Sequence, residues 1–169
     1  SRKSDETFVK NESKDQNGRF FIGTPRVSDG SFLFLQHLIN KMEPDGSRIG
    51  IIFNGSPLYN GDAGSGESEI RKWIIENDWL ETIVSLPTNM FFNTNIPTYI
   101  WIITNKKDEA RKSKIQIING KNFYQEINRN LGSKNRIIKT DQIQSILKEY
   151  LSFKESNISK IVDNNFFKY

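Results

Sequence analysis

The side chains with the most evident chemical potential are two adjacent phenylalanines, Phe91 and Phe92, in the segment MFFNTNI at residues 90–96. This segment separates two short apolar runs, residues 82–86 (TIVSL) and 99–103 (YIWII). Aromatic rings in a connecting loop are costly to expose to water, so they either fill the hydrophobic core or stack on a ligand. The residue types alone favour neither role. Under either role, this loop is the best functional candidate in the chain.

A glycine-rich segment at residues 61–68 (GDAGSGES) nearly matches the phosphate-binding pattern G-x-x-x-x-G-K-[ST]. Glu67 occupies the position of the lysine, and a carboxylate there would repel the phosphates that the lysine holds. The preceding apolar run also ends several residues too early. The dinucleotide pattern G-x-G-x-x-G fails because Glu69 stands in its last position. We therefore interpret residues 61–68 as a flexible loop.

The remaining polar residues form no recognisable catalytic or metal-binding set. His37 lies with Gln36 and Asn40 on the polar side of a helical pattern, and no motif pairs it with a nucleophile or a carboxylate. The chain contains no cysteine and one histidine, which excludes disulfides and thiolate sites and argues against a zinc cluster. We expect a structural or surface role for His37, and no metal site.

The apolar pattern predicts an alternation of helices and strands. Residues 31–42 have helical spacing and predict a mostly buried helix, in which Leu33 and Phe34 widen the apolar stripe. Residues 48–53 (RIGIIF) predict a buried parallel strand, because a helix at residues 67–77 separates them from the next strand. The link between the strands at 82–86 and 99–103 is too short for a parallel crossover, so this pair should be antiparallel.

The flanking regions give weaker signals. Residues 1–19 are polar without a period and predict a mobile lead-in or a long loop, and residues 115–118 predict another short strand. Thr140 is placed to cap a helix with apolar residues at helical spacing. These residues are Ile143, Ile146, Leu147, Tyr150 and Leu151. We divide the chain into residues 1–19, a main unit at 20–150 and a continuation at 151–169, whose structure the pattern leaves open.

Length and charge set broad limits on function. A chain of 169 residues is one domain or part of a larger one. No apolar run approaches the ~18 residues that span a bilayer, and no signal-type segment opens the sequence, so we expect a cytoplasmic protein. The formal net charge of +4 is compatible with a nucleic-acid partner, but favours one only weakly.

Three segments together resemble one protein family. They are residues 29–42 (DGSFLFLQHLINKM), residues 47–87, which include GDAGSGESEIRKWI, and residues 90–107, which include FFNTNIPTYIW. In this order they resemble the methylation (M) subunit of type I restriction-modification systems, an N6-adenine DNA methyltransferase. The resemblance covers most of residues 20–150.

The resemblance implies an α/β fold: the later half of a Rossmann-like methyltransferase sheet with an antiparallel final strand and helices on both faces. In the family, a glycine-rich turn after the first strand binds S-adenosyl-L-methionine, and an Asn/Asp-Pro-Pro-Tyr/Phe tetrapeptide carries catalysis. This chain contains no Pro-Pro pair and no strand with such a turn before residue 20. We therefore assign it no catalytic, cofactor-binding or metal-binding residue, and expect the chain alone to be inactive.

The resemblance also implies one substrate-binding residue. By its position before residues 93–96, Phe91 matches the aromatic side chain that lines the flipped base in related adenine methyltransferases, and Phe92 is the alternative. Extrusion of the base is needed because its reactive nitrogen is inaccessible inside a duplex. The family implies DNA, S-adenosyl-L-methionine, and the specificity and restriction subunits as partners of the full-length enzyme. The alternative is a non-catalytic DNA-binding or complex-assembly module that keeps half of the sheet.

Overall fold

The structure is a computed structural model that describes residues 3–167 and, within this range, every side chain except those of residues 129 and 130. The helices are α1 (Lys3–Glu12), α2 (Ser31–Ile39), α3 (Ser56–Tyr59), α4 (Gly66–Glu76) and α5 (Thr140–Ser152). The strands are β1 (Arg48–Asn54), β2 (Leu80–Ser85), β3 (Thr98–Thr104), β4 (Lys114–Asn119), β5 (Gln125–Leu131), β6 (Lys134–Ile137) and β7 (Ser159–Asp163).

Five of these strands form one sheet in the order β1-β3-β2-β4-β7, and β5 pairs with β6 in a separate hairpin. Strand β3 is antiparallel to both of its neighbours, β2 is parallel to β4, and β7 is antiparallel to β4. In the β2–β3 pair, Val84 lies opposite Ile100 and Ser85 opposite Tyr99. The antiparallel pairing that we predicted from the short link is therefore confirmed.

The position of β1 differs from the prediction. We expected residues 48–53 to be a buried strand paired in parallel with residues 82–86, but β3 lies between β1 and β2. The two strands do run in the same direction, because each is antiparallel to β3. The crossover through α4 leaves space for one strand between β1 and β2, and the antiparallel strand β3 occupies it. Among the described residues β1 therefore has one neighbour, and Ile52 is 52% exposed.

The main core lies between the sheet and helices α2 and α4. Phe32 of α2 and Ile74 of α4 pack in one cluster with Ile83, Trp101 and Ile115 of the sheet. Adjacent strand residues point to opposite faces, so Gln116 faces away from this core, and its Nε2 donates to the carbonyl oxygen of Glu149 in α5 at 2.9 Å. Helix α5 therefore covers the opposite face, and the expected α/β fold with helices on both faces is confirmed.

Helix α2 is rotated relative to the predicted apolar stripe. Phe34 is 70% exposed and Leu38 is 38% exposed, whereas Gln36 is fully buried. Only the nitrogen of the buried Gln36 amide has a partner among the described residues: its Nε2 donates to the carbonyl oxygen of Gly23 at 3.2 Å, whereas Oε1 accepts no hydrogen bond. The prediction of a mostly buried helix, with Gln36 on its polar side, was therefore wrong for these residues.

The N-terminal stretch contains helix α1, where we expected a mobile lead-in or a long loop at residues 1–19; residues 1 and 2 lie outside the described range. Arg19 joins this helix to α2. Its Nε lies 2.5 Å from Oε1 of Glu12, and its Nη1 lies 2.9 Å from Nδ1 of His37. His37 therefore makes a structural contact between two segments, in line with the expected role.

The C-terminal region corrects one prediction and adds elements that the pattern missed. Thr140 is the first residue of α5, and the cap position before it is held by Lys139, whose backbone N–H donates to Gln142 Oε1 at 3.0 Å. Three apolar residues of α5 that we expected at helical spacing, Ile143, Leu147 and Leu151, are exposed. The hairpin β5–β6 and strand β7 had not been predicted.

Candidate functional site

The loop at residues 86–97 leaves the sheet at the edge where the parallel strands β1, β2 and β4 end. Asn54, the last residue of β1, lies opposite Thr98, the first residue of β3. Ser85, the last residue of β2, lies opposite Asn119, the last residue of β4. The carboxyl ends of parallel strands are where open α/β sheets bind ligands. The topology therefore places the loop that carries Phe91 and Phe92 at the end of the sheet where ligands bind in such folds.

Phe91 and Phe92 lie in this loop outside the hydrophobic core. Phe91 is half-buried and forms an isolated bridge with Thr94, and Asn93 between them adopts the left-handed conformation at φ 58°. The ring of Phe92 is 58% exposed. Neither residue belongs to the core cluster between the sheet and the helices. Of the two roles that the sequence left open, filling the core is therefore disfavoured.

The β5–β6 hairpin supports the beginning of the loop. The carbonyl oxygen of Asn89 accepts hydrogen bonds from the backbone N–H groups of Asn135 and Arg136, at 3.1 and 3.2 Å. The Asn89 side chain donates to the carbonyl oxygen of Ser133 at 3.0 Å. The Arg136 guanidinium donates to the hydroxyl of Thr88 at 3.0 Å. Four hydrogen bonds thus connect the hairpin to the two residues that precede Met90 and Phe91.

Side chains of the hairpin also reach the loop and its surroundings. The ammonium group of Lys134 lies 5.2 Å from the centroid of the Phe92 ring, within the range of a cation–π contact. The Arg136 guanidinium stacks on Tyr124 at 4.0 Å. A Cβ atom at Gly132 would lie 3.0 Å from Oδ1 of Asn93. The hairpin and the loop therefore pack as one unit, which sequence reasoning missed because the hairpin has no strong apolar alternation.

In the glycine-rich segment, side chains of the protein itself occupy the N-terminus of α4. Ser65 caps α4 by accepting from the N–H of Ser68 at 3.3 Å. Glu67 accepts from the backbone N–H and the Nε of Arg26, at 3.0 and 2.9 Å. Burial by itself raises the pKa of Glu67, but the hydrogen bonds from Arg26 outweigh it and hold that pKa below its ordinary value. The start of α4 is thus occupied by its own carboxylate. The prediction of a flexible loop over residues 61–68 was wrong for residues 66–68, because they form the first turn of α4.

This segment also lies against the chain at residues 23–24. A Cβ atom at Gly66 would lie 1.9 Å from the carbonyl oxygen of Thr24, so glycine is required here by close backbone approach. The last residues of β1, β2 and β4 are Asn54, Ser85 and Asn119, and none is the carboxylate that would bind a ribose. The described residues therefore do not fit S-adenosyl-L-methionine, and we derive no step through it.

Two further findings concern the described part of the chain, residues 3–167. It contains no group of three or more histidine, aspartate or glutamate side chains placed to hold a metal ion. It also contains no helix of the length and apolar character that crossing a membrane requires.

A buried carboxylate at the start of β2 joins β1, β2 and α5. Glu81 is 1% exposed. It lies 3.1 Å from Nε of Arg48 and 3.5 Å from Nε of Arg111, and it accepts from the hydroxyl of Tyr150 at 3.2 Å. Burial raises the pKa of Tyr150, and the neighbouring Glu81 adds to that shift. These partners satisfy the carboxylate, so the cluster is structural; its only sequence signal is an acidic residue at the start of an apolar run.

A second polar cluster fixes the turn between α4 and β2. Asp78 accepts from Nζ of Lys107 at 2.5 Å, from the backbone N–H of Ser113 at 2.8 Å and from the amide of Asn164 at 2.8 Å. Burial raises the pKa of Asp78, but these three donors outweigh it and leave that pKa below its ordinary value. Burial lowers the pKa of Lys107 despite the carboxylate beside it.

Comparison with known proteins identifies relatives over nearly the whole chain. The family described as N-6 DNA methylase matches residues 4–167. The methylase subunit of the type I restriction enzyme MjaIX from Methanocaldococcus jannaschii is 30% identical over 155 residues, which is 89% of this chain and 26% of that protein. The methylase subunit of the type I restriction enzyme HindI from Haemophilus influenzae is 36% identical over 111 residues, 66% of this chain and 24% of that protein.

A solved structure supports the fold. The methyltransferase subunit of a type I restriction-modification system from Streptococcus thermophilus superposes with a TM-score of 0.78 at 24% identity, over 92% of this chain and 31% of that chain. The present chain therefore spans about a quarter of the length of the curated relatives it matches. The family match, the relatives and the shared fold lead to one conclusion: the chain belongs to the N-6 DNA methylase family and is similar to the methylase subunits of type I restriction enzymes.

Proposed function

We propose that the chain is part of an S-adenosyl-L-methionine-dependent DNA adenine-N6 methyltransferase, the modification subunit of a type I restriction-modification system. The observation that carries this proposal is the family match over residues 4–167. The placement of the aromatic loop at the carboxyl edge of the sheet adds to it. Since the described residues do not fit the cofactor, its binding groups and the catalytic tetrapeptide belong to other parts of the full-length protein.

Within this enzyme, we propose that Phe91 lines the pocket for the extruded adenine, with Phe92 as the alternative. Two points support this role. Neither ring fills the hydrophobic core, and the hairpin fixes the backbone of the two residues before Met90. Because the hairpin already holds the loop in place, the ring can stack on a base without a further cost for ordering the loop. Stacking of a base on an aromatic side chain is worth ~1–3 kcal/mol.

The partners of the full-length protein follow from the same proposal. DNA is the substrate, a separate specificity subunit reads the recognition sequence, and the restriction subunit joins the complex. A cytoplasmic location follows from a DNA substrate. A non-catalytic DNA-binding or complex-assembly module is the second candidate, favoured by the poor fit of the described residues to S-adenosyl-L-methionine.

A methylation assay separates the two candidates. The full-length protein, assembled with its specificity subunit, is incubated with DNA and S-adenosyl-L-methionine carrying a labelled methyl group, and the DNA nucleosides are analysed by mass spectrometry. We expect labelled N6-methyladenine. DNA binding without label in adenine would reject the enzyme and support the non-catalytic module.

A further inference from the structure

We infer that the β5–β6 hairpin and the loop at residues 86–97 form one DNA-contacting surface, in which Phe92 and Lys134 contact the strand beside the extruded adenine. The inference rests on the proposed function for its substrate. It goes further by assigning a role to the hairpin and, with Phe91 as the residue in the base pocket, by naming two residues that act on the DNA strand outside that pocket. We call these two segments the hairpin–loop surface.

The hairpin–loop surface is fixed before any ligand binds. Asn135 and Arg136 donate to the carbonyl oxygen of Asn89, Arg136 also donates to the hydroxyl of Thr88, and Asn89 donates to Ser133. These hydrogen bonds join the two segments. A surface of this kind keeps its side chains in place, so binding does not have to order both segments. The cost of ordering loops is one of the main costs of association.

The exposed groups on this surface are aromatic and apolar, and a half-buried lysine lies beside them. Phe92 is 58% exposed, Ile96 is 46% exposed, and Leu131 at the end of β5 is 43% exposed. Lys134 is adjacent to Phe92, and its ammonium forms no ion pair with a carboxylate within the part of the chain that the structure describes. A cation next to an exposed ring suits a nucleic-acid strand, since the ammonium can meet a phosphate while the ring meets a base or sugar.

Charge selects nucleic acid over a neutral or basic partner. Residues 121–139 contain five lysines and arginines and one glutamate, a formal charge of +4. The whole chain has 24 basic and 20 acidic residues, and thus also a formal +4, so the remainder of the chain is balanced. The excess positive charge therefore resides in the segment that carries the hairpin. Phosphate neutralisation by such residues makes DNA affinity fall steeply with salt.

The test measures DNA affinity of the full-length protein, assembled with its specificity subunit, across a range of salt concentrations. Each phosphate contact contributes ~0.9 to the slope of log affinity against log salt on duplex DNA. We expect Lys134→Ala to reduce the magnitude of that slope by about 0.9, and Lys134→Arg to retain it. Phe92→Ala should weaken binding about five- to a hundredfold, because it removes one stacking surface.

The matched control is Lys41→Ala. Lys41 is exposed, and it lies between α2 and the first residue of β1, at the sheet edge opposite the loop. This variant removes the same charge and should leave the slope unchanged. If Lys134→Ala and Phe92→Ala both behave like Lys41→Ala, the hairpin–loop surface does not contact DNA. Loss of subunit assembly in Lys134→Ala, with the slope unchanged, would also overturn the inference and would indicate a protein partner.

These outcomes are distinct from failure of the proposed function. If the wild-type protein methylates adenine but Lys134→Ala has the same salt slope as the wild type, the proposed function stands and the inference about the hairpin–loop surface is rejected. If the wild-type protein transfers no methyl group but binds DNA with a salt slope that depends on Lys134, the hairpin–loop surface is supported and the methyltransferase function is rejected. Absence of DNA binding by the wild-type assembly would reject both.

Discussion

The backbone N–H of Arg136 lies 3.2 Å from the carbonyl oxygen of Asn89. Through this contact, a hairpin that lies between β4 and β7 in the sequence supports the loop between β2 and β3. Asn89 itself is in the left-handed conformation at φ 61°, which asparagine adopts more readily than most residues with a Cβ atom. The backbone conformation of Asn89 and its hydrogen bonds together orient the chain that leads to Phe91 and Phe92.

Replacement of Asn89 tests this support. Asn89→Ala removes the hydrogen bond to Ser133 and places a less tolerant residue in a left-handed conformation, whereas Asn89→Gly removes the hydrogen bond but tolerates that conformation. A hydrogen bond contributes ~0.5–1.5 kcal/mol, and glycine also adds backbone freedom to the loop, so Asn89→Gly should lower methylation efficiency at least about two- to tenfold. Asn89→Ala should lower it further. Fluorescence of 2-aminopurine at the target position, measured on the same full-length samples, should fall in parallel. Unchanged fluorescence and rate in both variants would contradict the positioning role.

Phe91→Ala distinguishes base stacking from core packing. If the ring stacks on the extruded adenine, loss of ~1–3 kcal/mol lowers catalytic efficiency about five- to a hundredfold or slightly more, with folding nearly intact. Phe91→Trp should retain much of the activity because it keeps an aromatic face. If the ring is a core residue, the alanine change instead costs ~3–5 kcal/mol of stability. Thermal melts beside methylation rates separate the two, and a large fall in melting temperature with normal specific activity in the folded fraction would reject stacking.

Asp78→Asn tests the polar cluster at the turn between α4 and β2. Asparagine tolerates the left-handed conformation of this residue, at φ 56°, but leaves the buried ammonium of Lys107 without its carboxylate. We expect a loss of about 2–4 kcal/mol in the free energy of unfolding at neutral pH. Denaturant unfolding followed by tryptophan fluorescence measures it.

The same variant should show a defined pH dependence. The pKa of Asp78 in the folded state lies below the ordinary aspartate value of 3.8, so its stabilising effect is complete above that value and is lost as pH falls through the folded pKa. The stability difference between wild type and Asp78→Asn should therefore be constant from neutral pH to about pH 5 and shrink below about pH 4. A difference that shrinks between pH 7 and pH 5 would contradict this assignment.

The isolated chain of residues 1–169 should bind S-adenosyl-L-methionine negligibly. The reason is that none of the parallel strands β1, β2 and β4 ends in a carboxylate that could bind a ribose, and the glycine-rich segment lies against Thr24 and Arg26. Isothermal titration calorimetry is the direct measurement. A stoichiometric site of micromolar affinity would show that the cofactor-binding groups lie within this chain.

The outer edge of β1 should make the isolated chain self-associate. Within the described residues β1 pairs with β3 alone, and Ile52 on it is 52% exposed. An unpaired apolar edge is a template for another strand. Light scattering should show an apparent mass that rises with concentration, and Ile52→Lys should reduce the association because it places a charge on that strand. A monomer across a wide concentration range would contradict this expectation.

Local features of the sequence determined where the strands of the main sheet lie. The runs at residues 82–86 and 99–103 became β2 and β3 because they are short, apolar and rich in β-branched residues. Their antiparallel pairing followed from link length, which is also a local property. The same reasoning located the aromatic loop, since a polar link that carries two phenylalanines is unusual wherever the strands lie.

Tertiary structure alone decided how distant segments meet. Strand β3 lies between β1 and β2 because the crossover through α4 leaves space for one strand between them. The residues of β1 themselves do not determine whether that space is left. The β5–β6 hairpin is too polar to show an apolar period, and its contacts with Thr88 and Asn89 join residues more than 40 positions apart in the sequence. Glu81 could be buried in an apolar run because Arg48, Arg111 and Tyr150 approach it from other elements. Burial of a charge depends on partners distant in the sequence, so a local pattern cannot predict it.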